Sequence, residues 1–390
     1  MEIFNPRNIR KADLVVGIPS FNEEKTIGFV AKQAARGLKK YFPKKKSVIV
    51  NVDNNSTDRT REAFLGARSD IPQIFYTTTP KGIKGKGHNF KCLFSLFKDL
   101  KAKTGVVVDA DLRNIKPEWI LKLAEPVFSK YDYVSPFYTR KKDDATITNN
   151  LVYPLVYGLL GVNIRQPIGG EFAFSDKLVN VWLRKEWKET TYQFGIDIFM
   201  SLNAILSGFK MCQVNLGKKM HKSSVPNLGP MFIQVVETLF FTLKENHKKI
   251  RKIKGIKETP VLNGKRAASL GNCSPDGKHF ERLFRQEFDL NKRFFKKCLL
   301  AKTFEEINKM EKGKIEISAK MWSEIVYDFL YCFDEKENSK SVEALRCLYF
   351  GRVASLFKEI SNCSQREAEK KFLSQAEIFF KNREYYLNKI

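Results

Sequence analysis

Two aspartates offer the first chemistry in this chain. Asp109-Ala110-Asp111 directly follows Val106-Val107-Val108, so two carboxylates stand where a buried strand would end and the chain would open to solvent. Hard divalent cations prefer oxygen ligands, and a carboxylate together with a diphosphate is a common way to hold Mg2+ or Mn2+. A solvated loop after a strand would carry the same residues, so their setting has to decide. His221, one of four histidines, lies in the polar loop Lys218-Lys219-Met220-His221-Lys222-Ser223-Ser224, where an imidazole would either complete a metal site with Asp111 or remain a surface group. Gly82-Ile83-Lys84-Gly85-Lys86-Gly87 could present backbone N–H groups and positive charge to a phosphate. It is not a Walker A loop, because Lys86 is followed by Gly87 rather than Ser or Thr, and a plain flexible loop is the alternative. Gln166-Pro167-Ile168-Gly169-Gly170-Glu171 joins a rigid proline to two permissive glycines, a turn that either admits a ligand close to the main chain or simply redirects it.

These groups need elements to position them. From Leu14 to about Val134 short β-branched runs alternate with longer amphipathic segments, the pattern of an open α/β sheet with helices on its faces. Strands are expected at Leu14–Ile18, Ser47–Val52, Gln73–Thr77, Gly105–Asp109 and Tyr133–Phe137, and helices near Thr26–Lys40, Asp58–Arg68, Asn89–Leu100 and Pro117–Lys130. In such sheets ligands bind outside the carboxyl ends of the strands. Polar clusters follow the runs there: Pro19-Ser20-Phe21-Asn22-Glu23, Asp53-Asn54-Asn55-Ser56 and Asp109-Ala110-Asp111. That shared position favours a binding role for the aspartates over a solvated loop. Beyond a mixed middle, Lys244 to Lys297 is densely basic and punctuated around Asn263–Gly277, reading as a linker or exposed excursion. The rest is helical: Trp322, Ile325, Val326, Phe329, Leu330 and Phe333 recur at three and four. The expected organisation is a catalytic domain over 1–243, a basic linker over 244–279 and a helical region over 280–390.

The chain has 390 residues, with 69 Lys and Arg against 43 Asp and Glu, a net charge of +26, and 43% hydrophobic residues, which excludes a disordered basic chain. Such a charge implies an anionic partner: nucleic acid, a phospholipid surface or phosphorylated small molecules. The basic run Lys244–Lys257 has no interleaved aromatic platform for stacking bases, and no nucleic acid is expected. Leu14–Ile18 is too short for a secretory signal, and Leu151–Ile164, interrupted by Pro154, falls short of the roughly 20 residues that span a bilayer. It reads as a buried helix, so no transmembrane segment is expected. Seven scattered cysteines without a C-x-x-C pair fit free thiols in a reducing cytoplasm, the expected location.

Taken together, these segments resemble the nucleotide-sugar glycosyltransferases of the GT-A fold, and within them the retaining glucosyl-3-phosphoglycerate synthase family with its mannosylglycerate and glucosylglycerate synthase relatives. The matching residues are Val16 to Gly28, Asp53-Asn54-Asn55-Ser56-Thr57-Asp58, Gly85-Lys86-Gly87, Asp109-Ala110-Asp111-Leu112, Gln166 to Glu171, and Gln213-Val214-Asn215-Leu216-Gly217 leading to His221. They occur in family order across roughly residues 12–243. The resemblance implies an α/β GT-A domain followed by a mainly helical C-terminal region. It implies that Pro19, Ser20, Phe21, Asn22, Glu23 and Asn54 line the nucleoside pocket, with Lys86 near the nucleotide. Asp109 and Ala110 would meet the nucleotide sugar, and Asp111 and His221 would ligate an Mg2+ or Mn2+ ion that bridges the diphosphate. Asp197 would hold the sugar hydroxyls, where the nearest relatives have Glu; the carbonyl of Ile168 would stabilise the cationic sugar carbon. Thr148 and the Lys219–Ser224 loop, Ser223 included, would face the acceptor.

The implied reaction transfers glucose or mannose from a UDP- or GDP-hexose to a small acidic acceptor of the glycerate type. Configuration is retained without an enzymic nucleophile, in a homo-oligomer, a dimer. Two positions depart from the phosphoglycerate-using relatives: Thr146 stands in place of an arginine and Ser223 in place of an asparagine. Arg140, Lys141 and Lys142 would then have to replace the lost phosphate ligand, or the acceptor is unphosphorylated. An alternative within the same fold is a polyprenyl-phosphate or envelope-glycan acceptor, with the basic C-terminal half making a peripheral contact with anionic lipid.

Overall fold

The computed structural model describes residues 2–67, 73–222, 228–264, 276–334 and 338–390. They group into two compact units, one made of Met1–Tyr138, Ile168–Pro226 and Thr259–Ala267, the other of Thr139–Pro167, Asn227–Glu258 and Ala268–Ile390. In chain order the strands are β1 (Ile3–Phe4), β2 (Leu14–Ser20), β3 (Ser47–Asp53), β4 (Gln73–Thr78), β5 (Thr104–Val107), β6 (Tyr133–Thr139), β7 (Val162–Asn163), β8 (Phe172–Ser175), β9 (Met211–Lys218), β10 (Lys257–Glu258) and β11 (Val261–Leu262). The first unit is built on a nine-stranded sheet of order β1-β4-β3-β2-β5-β8-β6-β9-β11.

Its centre is parallel. β2 pairs with β3 from Leu14 opposite Ser47 to Ser20 opposite Asp53, and on its other side with β5 from Leu14 opposite Thr104 to Gly17 opposite Val107. Leu14, Val15, Val16 and Ile18 are all buried, as a parallel strand covered on both faces requires. Helices α1 (Ile27–Tyr41), α2 (Thr60–Leu65), α3 (Lys86–Asp99) and α4 (Pro117–Ser129) follow the strands where the periodicity places them. In α1 the buried Ile27, Val30, Ala31, Ala34 and Leu38 recur at three and four and form one apolar face. A Cβ on Gly17 would lie 2.3 Å from Leu93 Cδ2, so α3 can seat directly on β2 only because that residue has no side chain.

The sheet then reverses direction. β8 runs antiparallel to β5, with Phe172 opposite Val107, so the start of β8 lies at the carboxyl end of β5. This reversal brings Glu171 beside Asp109. Helices α6 (Asp176–Arg184) and α7 (Ile196–Leu206) complete this unit, α5 (Tyr153–Leu160) lying in the other.

The second unit is helical: α5, α8 (Leu228–Glu245), α9 (His247–Ile250), α10 (Lys278–Cys298), α11 (Ala301–Met310), α12 (Ala319–Cys332), α13 (Asn338–Ile360), α14 (Gln365–Lys381) and α15 (Arg383–Leu387). The apolar run 151–164 is buried helix only as far as Leu160; after Gly161 it continues as the strand β7, which the composition did not suggest. A π-helical turn over Thr148–Val152 leads into α5, which stops at Gly161 with φ +60°. Arg352, among the largest fully buried side chains, donates to Gln375 Oε1 at 2.8 Å, Ile317 O at 2.7 Å and Glu359 Oε1 at 2.6 Å. No helix among the described residues is long and apolar enough to cross a membrane.

The units cut across the boundary expected at residue 243. Segments 139–167 and 227–258 belong with the helices, because their apolar faces meet helical partners: the Phe232 and Tyr349 rings lie 4.6 Å apart, and Gly158 abuts Phe379 and Tyr327. The stretch 244–279, expected as a linker or excursion, is partly built. It contains α9 and β10, and its β11 extends the sheet beside β9, with Val261 opposite Gln213.

Candidate active site

The carboxyl ends of the parallel strands form a hydrogen-bonded floor. Ser20 Oγ donates to Asp53 Oδ1 at 2.7 Å and accepts from Asn51 Nδ2 at 2.8 Å. Asn54 donates to Asn89 Oδ1 at 2.6 Å and accepts from the Gly85 N–H at 2.9 Å, which ties the strand end to the glycine loop. Asn22 turns the chain with φ +56°, and its N–H donates to Ser56 Oγ at 2.8 Å. Of the residues expected to line a nucleoside pocket, Ser20 and Asn54 thus use their side chains to build the floor. Phe21 is exposed, with Lys84 Nζ 5.4 Å from its ring centroid. Pro19 sits in β2 opposite Val52, and Ala110 contributes its side chain to the core, leaving only main chain to meet a ligand.

Next to this floor lies a cluster of three carboxylates and two ammonium groups. Lys86, at the start of α3, reaches Asp109 Oδ1 at 3.3 Å and Asp197 Oδ2 at 3.1 Å, the latter in the first turn of α7. Lys219, just after β9, reaches Asp109 Oδ2 at 2.8 Å, both oxygens of Glu171 at 2.9 Å and the Gly169 carbonyl at 3.0 Å. The Lys219 side chain is 4% exposed and that of Glu171 0%. Tyr138 also donates to Glu171 Oε2, at 2.5 Å. Gly170 makes the fit possible: at φ +96°, a Cβ there would stand 2.4 Å from Asp109 Oδ2 and 2.7 Å from Lys219 Nζ.

Burial and pairing compete over each charge. Burial alone would raise Asp109, but Lys219 and Lys86 hold it well below the usual carboxylate range. Burial would likewise lower Lys86, and the charges of Asp109 and Asp197 reverse that and keep it protonated. For the carboxylates at the ends of the chain of pairs, burial wins. It pushes Glu171 up to about 7 against the pull of Lys219, and it raises Asp197 against Lys86.

Asp111 faces the other way. His221 Nδ1 is 3.9 Å from Asp111 Oδ2, the two side chains are comparably accessible, and the Lys222 N–H donates to the same oxygen at 3.1 Å. Lys222 Nζ pairs with Glu23 Oε1 at 2.7 Å, while burial raises the Glu23 carboxyl despite that partner. The loop is fixed to the strand end by Arg113 N–H donating to Met220 O at 2.8 Å and by Asn114 bridging Lys218 O and Met220 N. An imidazole and a carboxylate suit a small divalent cation. No group of three potential metal-ligating side chains occurs among the described residues, so two protein ligands would leave the rest of an octahedral shell to phosphate oxygens and water.

Residues 15–178 match the family model "Glycosyl transferase family 2". Over this stretch the chain is similar to the glycosyltransferases that the model describes. Among solved structures the chain is similar to glucosyl-3-phosphoglycerate synthase from Mycobacterium tuberculosis in complex with phosphoglyceric acid, at 22% identity over 59% of this chain and 80% of that one, with a TM-score of 0.49. Similar values hold for the same enzyme in complex with Mg2+ and uridine diphosphate, at 23% identity, 59% and 79% coverage and a TM-score of 0.49. A further mycobacterial protein matches at 24% identity, with 59% and 74% coverage and a TM-score of 0.47. None of the curated proteins compared with the chain matches it significantly.

The remaining expected site residues fall into three groups. Ile168 is half-buried at the head of the turn whose next carbonyl, that of Gly169, accepts from Lys219. Thr148 is buried in the helical unit, at the start of the π-helical turn. Ser223 lies outside the described residues. Of the three cations expected to replace the missing arginine, Arg140 and Lys142 are engaged within the helical unit, and Lys141 is exposed. Lys142 Nζ donates to the carbonyls of Ile360, Ser361 and Cys363 at 2.8–3.0 Å, an end cap for α13, and Arg140 pairs with Asp144 at 2.9 Å. Thr146 accepts at 2.7 Å from the Tyr349 hydroxyl. Reading the chain alone missed Glu171, Lys219 and Tyr138 as parts of the charged cluster. The available signal was weak: a glutamate closing a Gly-Gly turn and a lysine two residues before His221.

Proposed function

We propose that this glycosyltransferase moves a hexose, glucose or mannose, from a UDP- or GDP-sugar to a glycerate-type acid with retention of configuration, using Mg2+ or Mn2+. The observation that carries this reading is the pairing of Asp111 with His221 beside the Lys86–Asp109–Asp197 cluster at the strand ends. A divalent ion held by Asp111 and His221 would supply Lewis-acid neutralisation of the departing diphosphate. Lys86, kept protonated by its two aspartates, provides a fixed positive charge that needs no reorganisation as the leaving group becomes more anionic. Asp109 and Asp197 offer acceptor oxygens for sugar hydroxyls.

The cluster holds one more carboxylate than ammonium group, and above the Glu171 value of about 7 that surplus is a negative charge that favours positive charge developing on the anomeric carbon. Each carboxylate is already engaged, Asp109 by both lysines, Asp197 by Lys86, and Glu171 by Lys219 and Tyr138. This supports a route without an enzymic nucleophile, in which the acceptor enters on the face the diphosphate leaves. The internal engagement of Arg140, Lys142 and Thr146 favours glycerate over 3-phosphoglycerate. The test is a donor-by-acceptor matrix of UDP- and GDP-hexoses against glycerate and 3-phosphoglycerate, with the product linkage read by NMR. An α-linked hexosylglycerate formed only with added divalent ion is expected from an α-configured donor. Inversion, or transfer to neither acid, would overturn the reading.

A further inference from the structure

A dense run of cations that the nucleotide site does not use lies in the helical unit. Between Lys248 and Lys257 six exposed cations, Lys248, Lys249, Arg251, Lys252, Lys254 and Lys257, occur in ten residues without one acid. The ordinary use of such residues is to cap helix ends and answer the helix dipole. Here that work is done by others: Arg383 donates to Ile250 O at 3.1 Å, and Lys244 donates to the carbonyls of Tyr331 and Phe333. Lys248, Arg251, Lys252, Lys254 and Lys257 form no ion pair among the described residues, and Glu258, the acid that closes the run, is bonded to Asn163 at 2.9 Å. The segment is also fixed in place. Ile250 is buried, Ile253 and Ile256 are half-buried, and the Lys257 N–H donates to Gly161 O at 2.7 Å where β10 pairs with β7. Apolar side chains therefore point inward and the charges outward.

Two apolar side chains lie in the same neighbourhood. The Lys244 bond places the start of the basic segment against the end of α12, where Tyr331 is 47% exposed. Cys332, the next residue, lies 3.8 Å from Cys298 O at the end of α10, and Leu300 just beyond is 51% exposed. A polyanion in water gives no reason to expose Tyr331 and Leu300. A bilayer surface does, because its headgroups attract the cations and its interfacial zone accommodates an amphipathic ring and an apolar tip.

We propose that this end of the helical unit docks on anionic phospholipid membranes through the basic segment, with Tyr331 and Leu300 entering the interface. The inference does not depend on the acceptor. The test is flotation of the full-length protein with phosphatidylcholine vesicles, with and without phosphatidylglycerol. Binding is expected only with phosphatidylglycerol and should weaken with added salt. Each cation near such a surface adds to the attraction. Reversing four of them in Lys248→Glu/Arg251→Glu/Lys252→Glu/Lys254→Glu should therefore lower vesicle affinity by at least about a hundredfold. Donor hydrolysis and the unfolding midpoint should stay unchanged, since these side chains are exposed. Tyr331→Ser/Leu300→Ser should weaken binding while keeping its salt dependence. No binding to phosphatidylglycerol vesicles, equal binding to neutral ones, or complete displacement by single-stranded RNA would overturn the proposal.

Discussion

Both units bury charge, and they do so differently. In the helical unit three buried cations meet fixed acceptors of the protein, uncharged oxygens among them. Lys142 is surrounded by three carbonyls; Arg352 has a carbonyl, an amide oxygen and Glu359; Arg165 has Glu369 at 3.0 Å and Asn149 Oδ1 at 2.7 Å. In the sheet unit Lys86 and Lys219 meet three carboxylates, and the count does not balance. Cations held by such fixed acceptors pin helices together and ask nothing of a ligand. An unbalanced cluster keeps residual field at a strand end, where a donor sugar and its diphosphate can answer it.

The sharpest way to break this contrast is to remove the groups expected to hold the metal. Asp111→Ala or His221→Ala should lower divalent-dependent transfer by at least about a thousandfold, with the circular dichroism spectrum and unfolding midpoint near wild type, because both side chains are partly exposed rather than part of the core. A wild-type rate in either variant would dismiss the metal assignment. The helical counterpart should behave in reverse. Arg352→Met leaves Gln375 Oε1, Ile317 O and the half-exposed Glu359 without their donor, and should cost about 3 kcal/mol of stability. Transfer rates measured below its lowered unfolding midpoint should be unchanged. A variant that kept its stability but lost activity would show that the helical charges are not merely structural.

How far the site could be read in advance follows from which contacts are local. β2, β3 and the helices after them were legible because each is one continuous apolar pattern, and Asp109 and Asp111 were legible because they end such a run. Glu171 and Lys219 were not, since their meeting depends on two non-local facts. β8 is only four residues long and runs antiparallel to β5, and Lys219 is delivered by β9 from the far side of β6. Neither relation leaves a period in the sequence. The same holds for Lys142, which looked like a candidate acceptor ligand until the end of α13, more than two hundred residues later, proved to be its partner.

The unequal charge count also predicts a pH signature confined to the sheet unit. Glu171 is pushed up to about 7 by burial, opposed by Lys219 and reinforced by Asp109, from an ordinary value of 4.5. A carboxyl whose folded value is raised holds its proton more tightly in the folded protein. Its stabilising contribution is therefore fully present below the unfolded value and is lost as the pH rises through about 7. Wild-type unfolding midpoints should fall between about pH 4.5 and pH 8 by an amount that Glu171→Gln removes, because the amide keeps an oxygen for Tyr138 and has no proton to lose in that range. Arg352→Met should shift the whole profile down without changing its slope. If Glu171→Gln and the wild type show the same slope, the surplus carboxylate is balanced by a group other than its proton, and the contrast between the two units is then one of position alone.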